Sequence, residues 1–269
     1  MPEIPDLENI QSYLNGELPG VGIASVEAEQ PLVIRLPTLA EFIATVQGNS
    51  FDGVRRRGKF LLFDFDSGHT LAVNPMLTGR LQYCDPSTKR GAKTCFVLGL
   101  DNGKELRYFD SRLMGKVYLV PDGALNIIPR FTEMGPEALD PKVTVNIFEN
   151  RLRRHPGQIK NILVNDTFLA GIGNAYADEI LFDAGIHPYR RRTTLSTPEI
   201  EVLYRSMHSV LEEATKTVRR RMNGRIDLKI RDFLKVHGKG QEVCPVCGGR
   251  ISQVQANQRL TNFCRQCQR

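Results

Sequence analysis

Four cysteines near the end of the chain have the spacing of a metal site. Cys244 and Cys247 form one Cys-x-x-Cys pair, and Cys264 and Cys267 form a second pair after sixteen intervening residues. Each pair can place two thiolates on one tetrahedral zinc ion, and the span between the pairs suits a β-hairpin. Because four protein ligands leave no open coordination position, the pattern predicts one structural Zn²⁺. So short a module has few apolar residues, and we expect the metal to stabilise its fold.

The first residues offer a different chemistry, that of an amine nucleophile. Pro2 follows the initiator Met1, whose removal would leave a free secondary amine beside Glu3. Such an amine can attack the C1′ atom of a sugar and form a Schiff base, which divides a difficult glycosidic cleavage into two easier steps. Glu3 is then placed to move protons as the sugar ring opens.

A glycine-rich turn precedes a predicted helix in the middle of the chain. Gly171 and Gly173 allow a sharp turn, and the helix is expected to begin near Asn174 and to end before Gly185. Backbone N–H groups at a helix start, together with the Asn174 amide, suit a DNA phosphate. A purely structural turn fits the same residues.

Charge is distributed unevenly along the chain. Residues 1–150 carry 15 Lys and Arg against 19 Asp and Glu, whereas residues 151–269 carry 21 against 11. The excess of cations in the second part favours a polyanionic partner, with a solvated basic surface as the alternative. We find no apolar run of about 18 residues that would span a membrane and no secretory signal, so we expect an intracellular protein.

Periodicity predicts two kinds of structure. Residues 1–120 contain short apolar segments, such as 58–65 and 115–120, at a spacing typical of a β-sandwich. Pro5 suits the first turn of a helix at the start of the chain. Later in the chain, Thr197 is a candidate cap of a helix whose apolar stripe packs in a core.

Together, these motifs and their order resemble the family of formamidopyrimidine-DNA glycosylases and endonuclease VIII enzymes, over essentially the whole chain. The resemblance implies an α+β protein in four parts. These are an N-terminal β-sandwich catalytic domain with an N-terminal helix (1–125), a linker (126–140), a helix-two-turn-helix DNA-binding domain (141–234) and a C-terminal β-hairpin zinc finger (235–269). The motifs that carry the resemblance are 1–5, 56–61, 77–81, 110–115, the glycine turn with Asn174, and the zinc finger with Gln258 and Arg259.

The resemblance also implies roles for individual residues. Pro2 is the expected Schiff-base nucleophile and Glu3 the proton donor to the opening deoxyribose. Lys59 corresponds to the family's lysine that holds a phosphate and assists proton transfer, and Asn174 and Arg259 correspond to residues that grip phosphates around the extruded nucleotide.

Three further side chains match the family's wedge, which fills the space left by the extruded nucleotide. They are Leu77, Arg112 and Met114, of which Leu77 and Met114 replace the family's usual Met and Phe. Asp6 stands where the family usually has Glu. The segment 216–237 is shorter and more basic than in enzymes of oxidised guanine, so formamidopyrimidines, oxidised pyrimidines and bulkier lesions all stay open as substrates.

The expected function is that of a bifunctional glycosylase and AP lyase of base excision repair, which nicks the strand by β,δ-elimination. Its partner is double-stranded DNA with damaged bases or abasic sites, and we expect a monomer with no membrane partner, in the bacterial cytoplasm and at the nucleoid when acting. A non-catalytic damaged-DNA-binding protein of the same fold is the first alternative. A zinc-containing protein that binds RNA or ribosomes is the second.

Overall fold

A computed structural model describes residues 1–256 and 259–269, without the side chains of Ala256 and Arg259. Contacts divide the chain into a first unit, Met1–Thr132 with Val218–Lys229, and a second unit, Glu133–Thr217 with Ile230–Arg269. The four-part division made from the sequence stays a prediction.

The first unit begins with helix α1, Ile4–Glu17. Pro5 lies in its first turn, where a missing N–H costs nothing. Its apolar stripe is buried, as the spacing of Leu7, Ile10 and Leu14 predicts. The predicted N-terminal helix is therefore confirmed.

Two sheets follow and form the predicted β-sandwich, and their strands pair antiparallel except for the parallel pair of β2 and β9. The larger sheet has the order β2-β9-β5-β4-β3, and the smaller sheet has the order β1-β7-β8-β6. One short helix, α2 (Leu39–Val46), lies between β2 and β3 along the chain. The strands are β1 Ile23–Ala28, β2 Ile34–Leu36, β3 Phe51–Arg57, β4 Phe60–Phe65, β5 His69–Asn74, β6 Gly79–Cys84, β7 Thr94–Leu100, β8 Glu105–Asp110 and β9 Lys116–Pro121.

Two connections cross between the sheets at the same end of the sandwich. Residues 75–78 lead from β5 to β6, and residues 111–115 lead from β8 to β9. Asn74 pairs with Lys116 in one sheet, and Gly79 pairs with Asp110 in the other. Since both ends of each connection are neighbours in a sheet, the two loops lie side by side.

The second unit consists of helices and one hairpin. Its elements are α3 Val145–Arg153, α4 Ile159–Leu163, α5 Asn174–Asp183, α6 Thr197–Met222, β10 Ile251–Ala256 and β11 Arg259–Cys264, and the last five residues of α6 belong to the first unit. The predicted start of α5 at Asn174 is confirmed, with Gly173 as its N-cap. None of the helices in the described part of the chain has the length and apolar character needed to cross a bilayer.

The predicted cap of α6 is wrong by one residue. Thr197 is the first helical residue, and the Ser196 backbone N–H and hydroxyl donate to Glu199 Oε2 at 2.8 and 2.9 Å. The Ile200 N–H bonds to the Ser196 carbonyl at 3.0 Å, so Ser196 occupies the cap position. Ser and Thr are both favoured at the N-cap position, so the sequence alone did not decide between these two neighbours.

Candidate active site and metal centre

Pro2 and Glu3 are held at the N-terminus of α1. Both are buried, with Glu3 only 2% exposed, and Glu3 is the N-cap residue of the helix. Its backbone N–H donates to Asp6 Oδ2 at 2.9 Å, while its own side chain accepts from the Asp6 backbone in a capping box. The capping box fixes the residue that directly follows Pro2, so the predicted nucleophile is attached to a rigid helix end.

Asp6 has a structural role at this end of the helix. An aspartate at the third helical position reaches back to the N-cap N–H, as the distance above shows. The sequence marked Asp6 only as a departure from the family pattern. Its exchange of hydrogen bonds with Glu3 was not foreseen.

Lys59 lies in the turn between β3 and β4 and is 7% exposed. Arg56 supports this turn. Its guanidinium forms an ion pair with Glu8 of α1 at 2.6 Å and donates to the Gly58 carbonyl at 2.9 Å. Arg56 thus connects α1, which carries the N-terminal residues, to the turn that carries Lys59. The sequence did not show this supporting role of Arg56, because it depends on a contact with Glu8, which lies 48 positions away along the chain.

Two other arginines, Arg55 and Arg190, are also engaged within the protein. Arg55 donates to Asp64 Oδ1 at 2.7 Å, and this carboxylate raises the pKa of Arg55. Arg190 donates to Glu199 and to the Thr194 carbonyl. The spacing of arginines in a run does not indicate which of them face carboxylates.

The three predicted wedge residues lie on the two side-by-side loops of the first unit. Leu77 is 43% exposed in the β5–β6 loop, and Met114 is 37% exposed in the β8–β9 loop. Arg112 is exposed in the same loop as Met114. The structure therefore brings together all three residues on one end of the sandwich. Leu77 and Met114 are therefore accessible at this end, as the predicted wedge requires.

Asn174 is in the second unit, at the first residue of α5. Its Nδ2 donates to the Leu260 carbonyl at 2.7 Å, while its Oδ1 is buried without a hydrogen-bond partner among the described residues. Leu260 directly follows Arg259, so this bond links the start of α5 to the strand that carries the predicted phosphate-binding arginine. The Arg259 side chain and Gln258 lie outside the described residues.

A buried ion pair holds the same strand from a second side. Lys160 Nζ donates to the Leu260 carbonyl at 3.0 Å and to Thr261 Oγ1 at 2.8 Å, and it lies 2.6 Å from Asp178 Oδ1. Asp178 Oδ2 in turn accepts from His237 Nδ1 and from the Asn262 backbone. The sequence gave no signal for this network, because its members are separated by up to about a hundred residues.

Glu179, the next residue of α5, positions the segment that leads into the cysteine module. Its carboxylate accepts backbone N–H bonds from Lys235, Val236 and His237 at 2.7 to 2.9 Å. Burial raises the pKa of Glu179, and these three donors act in the opposite direction. The carboxylate therefore accepts the hydrogen bonds that the backbone N–H groups of residues 235–237 would otherwise donate to water.

The four cysteines meet at one point, as a zinc site requires. All four Sγ atoms lie within 4.8 Å of one another, with 3.8 Å between Cys244 and Cys267 and 3.4 Å between Cys247 and Cys264. A tetrahedron with Zn–S bonds of about 2.3 Å has edges of about 3.8 Å. The residues therefore fit the ion, and the four thiolates would fill its coordination sphere.

Comparison with known proteins adds independent findings. Family models match the formamidopyrimidine-DNA glycosylase N-terminal domain at residues 1–117, the H2TH domain of the same enzyme at 134–223, and the zinc finger found in FPG and IleRS at 241–269. The formamidopyrimidine-DNA glycosylase of Pelotomaculum thermopropionicum is 38% identical over 100% of this chain and 99% of that protein. The chain belongs to the formamidopyrimidine-DNA glycosylase family. The predicted resemblance and the single structural zinc are thereby confirmed.

Members of this family with solved structures have the same fold. A Lactococcus lactis formamidopyrimidine-DNA glycosylase, non-covalently bound to DNA with an AP site, matches with a TM-score of 0.89 at 27% identity over 99% of each chain. A complex of the Lactococcus lactis protein with DNA containing Fapy-dG matches with a TM-score of 0.88 at 28% identity, over 99% of this chain and 100% of that one. The predicted α+β fold class is confirmed. A relative from Listeria innocua, 33% identical over the full length of both chains, is likewise bacterial.

Proposed function

We propose that this protein is a bifunctional DNA glycosylase and AP lyase of base excision repair that acts on ring-opened purines and abasic sites in duplex DNA. Family membership supports the activity, and the names of the relatives support this lesion class. One observation carries the mechanism: Pro2 and Glu3 are buried together at a capped helix N-terminus. We propose that the enzyme works in the bacterial cytoplasm, at the nucleoid.

The proposed reaction begins when the Pro2 nitrogen, freed by removal of Met1, attacks C1′ of the damaged nucleotide. A C1′–N bond to Pro2 forms while the glycosidic bond to the base breaks, and the base leaves with a proton. The Glu3 carboxyl donates a proton to the ring oxygen as the deoxyribose opens, which leaves an iminium between C1′ and Pro2.

Strand cleavage follows from the iminium. Loss of a C2′ proton expels the 3′ phosphate by β-elimination, and a second elimination expels the 5′ phosphate. The iminium serves as the electron sink for both steps, and hydrolysis then returns the free amine. Lys59 is proposed to hold a phosphate and to assist proton transfer.

DNA binding is assigned to side chains of both units. Asn174 and Arg259 are proposed to hold phosphates, and Leu77, Arg112 and Met114 to fill the space left by the extruded nucleotide. Extrusion costs roughly a few kcal/mol, which phosphate contacts and wedge residues offset. Zinc closes the C-terminal hairpin and takes no part in the reaction.

Borohydride trapping tests this proposal. With protein from which Met1 has been removed (the processed protein), reduction of the iminium on an abasic-site duplex should give a covalent protein–DNA adduct. A variant with one residue added before Pro2 should give none. A processed protein that yields no adduct and cuts no lesion-containing duplex would contradict the enzymatic proposal and favour a non-catalytic binding protein.

A further inference from the structure

The two loops that carry the proposed wedge residues, 75–78 and 111–115, share one buried carboxylate. We call them the wedge loops. Asp110 ends β8, is fully buried and accepts hydrogen bonds from both loops. Its Oδ1 accepts from the Thr78 hydroxyl and from the Arg112 N–H (3.1 Å), and its Oδ2 accepts from the Gly115 N–H at 2.6 Å.

Tyr108 closes the space beneath the same loops. A Cβ atom added at Gly79 would lie 2.1 Å from the Tyr108 hydroxyl oxygen, and one added at Gly115 would lie 1.9 Å from it. Both distances are far below van der Waals contact, so the glycines at the two loop ends are required by packing against this ring.

Each wedge loop also contains a non-glycine residue in the left-handed region. Met76 has φ 50° and Leu113 has φ 52°, next to the wedge residues Leu77, Arg112 and Met114. Such a conformation is strained for a residue with a side chain and persists only where the surroundings hold it. Asn74 Oδ1 accepts from the Met76 N–H at 3.0 Å, and Asp110 bonds to residues on both sides of Leu113.

We infer that Asp110 is a positioning residue for nucleotide extrusion, because it fixes the two wedge loops to each other so that Leu77, Arg112 and Met114 enter the DNA as one rigid group. This inference rests on the proposed function. A wedge that is ordered before binding does not lose conformational entropy when it inserts into DNA. More of the free energy of binding is then available to offset the cost of extruding the nucleotide.

The main variant is Asp110→Asn, which keeps the shape but turns one oxygen into an N–H donor that must face another donor. Thr78→Val is a second variant, which removes the shared hydroxyl without a change of volume at the carboxylate. Asp122→Asn is the control for the loss of a carboxylate elsewhere in the sandwich. Asp122 is an exposed residue just beyond the other end of β9, and its Oδ1 lies 3.0 Å from the Thr70 hydroxyl, which also donates to Asp64 at 2.8 Å.

The measurement is the single-turnover rate of base release from two duplexes. In one the formamidopyrimidine lesion is paired with cytosine, and in the other it faces an abasic-site analogue, which lowers the cost of extrusion. We expect Asp110→Asn and Thr78→Val to slow release about tenfold or more on the paired duplex but less than about threefold on the unpaired one. Asp122→Asn should match the unaltered protein on both.

Two results would overturn the inference: equal slowing on both duplexes, which indicates general damage to the fold, or no slowing on the paired duplex. In either case the unaltered protein still releases the base and still forms the borohydride adduct, so the proposed function stands. If the unaltered protein does neither, the proposed function fails, and the inference fails with it.

Discussion

At the scale of single residues, buried polar groups do most of the positioning. Glu3 and Asp6 exchange hydrogen bonds at the start of α1, and Arg56 joins that helix to the turn of Lys59. The sequence predicted Pro2, Glu3 and Lys59 as functional from their types and from the family pattern. It did not predict Arg56 or Asp110 in supporting roles, because those roles depend on contacts made only when distant segments meet.

One half-buried ion pair, Arg190 with Glu199, gives a pH-dependent prediction. Hydrogen bonds from Arg190 and from the Ser196 backbone lower the pKa of Glu199 from 4.5 to about 2. The folded state thus binds fewer protons than the unfolded state between these values, so this stabilisation is present above about pH 4.5 and is lost as the pH falls towards 2. Because solvent screens the pair, we expect Glu199→Gln to cost about 0.5 to 1 kcal/mol at pH 7.

Urea unfolding at pH 7 and at pH 3.5 measures this effect. The difference in unfolding free energy between Glu199→Gln and the unaltered protein should shrink at the lower pH. Glu201→Gln, which removes an exposed charge from the same helix, is the control and should show little difference at either pH. A Glu199→Gln deficit that stays constant with pH would contradict the assignment.

At the scale of elements, the sequence predicted those helices, strands and modules whose signatures lie close together along the chain. The N-terminal helix, the sandwich strands, the start of α5 and the cysteine module all have signatures within about twenty residues, and the structure contains each of them. The attachment of β11 to α4 and α5 through Lys160, Asp178 and Asn174 has no such signature. A buried lysine is indistinguishable from an exposed one in a single sequence.

Lys160 gives a prediction on stability. Lys160→Met would leave the Asp178 carboxylate buried without its cation, so we expect a loss of about 3 kcal/mol in unfolding free energy. The double variant Lys160→Met with Asp178→Leu should recover part of that loss, since both charges of the buried pair are then removed. Lys216→Met breaks an exposed pair with Glu213 and, as a control, should cost less than about 0.5 kcal/mol. Equal costs for the buried and exposed pairs in urea unfolding would refute the prediction.

Removal of zinc tests the role of the metal. The hairpin β10–β11 packs on a small core of Phe182, Val236, Cys244, Ile251 and Cys264. Two of these five residues are predicted zinc ligands, so we expect the fold of the hairpin to depend on the ion. Chelation should therefore release one zinc per chain and remove hydrogen-exchange protection from the amides of β10 and β11. Amides of β4 and β5 serve as the control and should keep their protection. Hairpin amides that stay protected after complete zinc loss would show that the metal is dispensable for this element.

At the scale of the whole molecule, the charge distribution fits a DNA-binding enzyme. Residues 151–269 carry 21 Lys and Arg against 11 Asp and Glu, and they include the proposed phosphate-binding residues Asn174 and Arg259. Several arginines of the chain nevertheless pair with carboxylates, as Arg55, Arg56 and Arg190 do. The net charge thus predicted a polyanionic partner. Which Lys and Arg side chains are paired within the protein is known only from their contacts in the structure.

The salt dependence of DNA binding distinguishes cations that contact phosphates from cations that pair with carboxylates of the protein. Binding to an abasic-site duplex should weaken linearly in log–log form as salt rises, and Arg259→Ala should reduce the magnitude of the slope by about 1, the loss of one phosphate contact. Arg90, which pairs with Glu27 and Glu29, is a matched control. Arg90→Ala should leave the slope unchanged. An unchanged slope for Arg259→Ala would exclude its proposed phosphate contact.

The identity of the nucleophilic atom is the central claim, and peptide mapping of the reduced adduct tests it most directly. The processed protein is treated with an abasic-site duplex and borohydride, digested with protease and nuclease, and sequenced by tandem mass spectrometry. The account predicts a sugar-derived mass on the nitrogen of Pro2 in a peptide that lacks Met1. A sugar attached to Lys59 or to any other side chain, or an adduct on a chain that retains Met1, would contradict it.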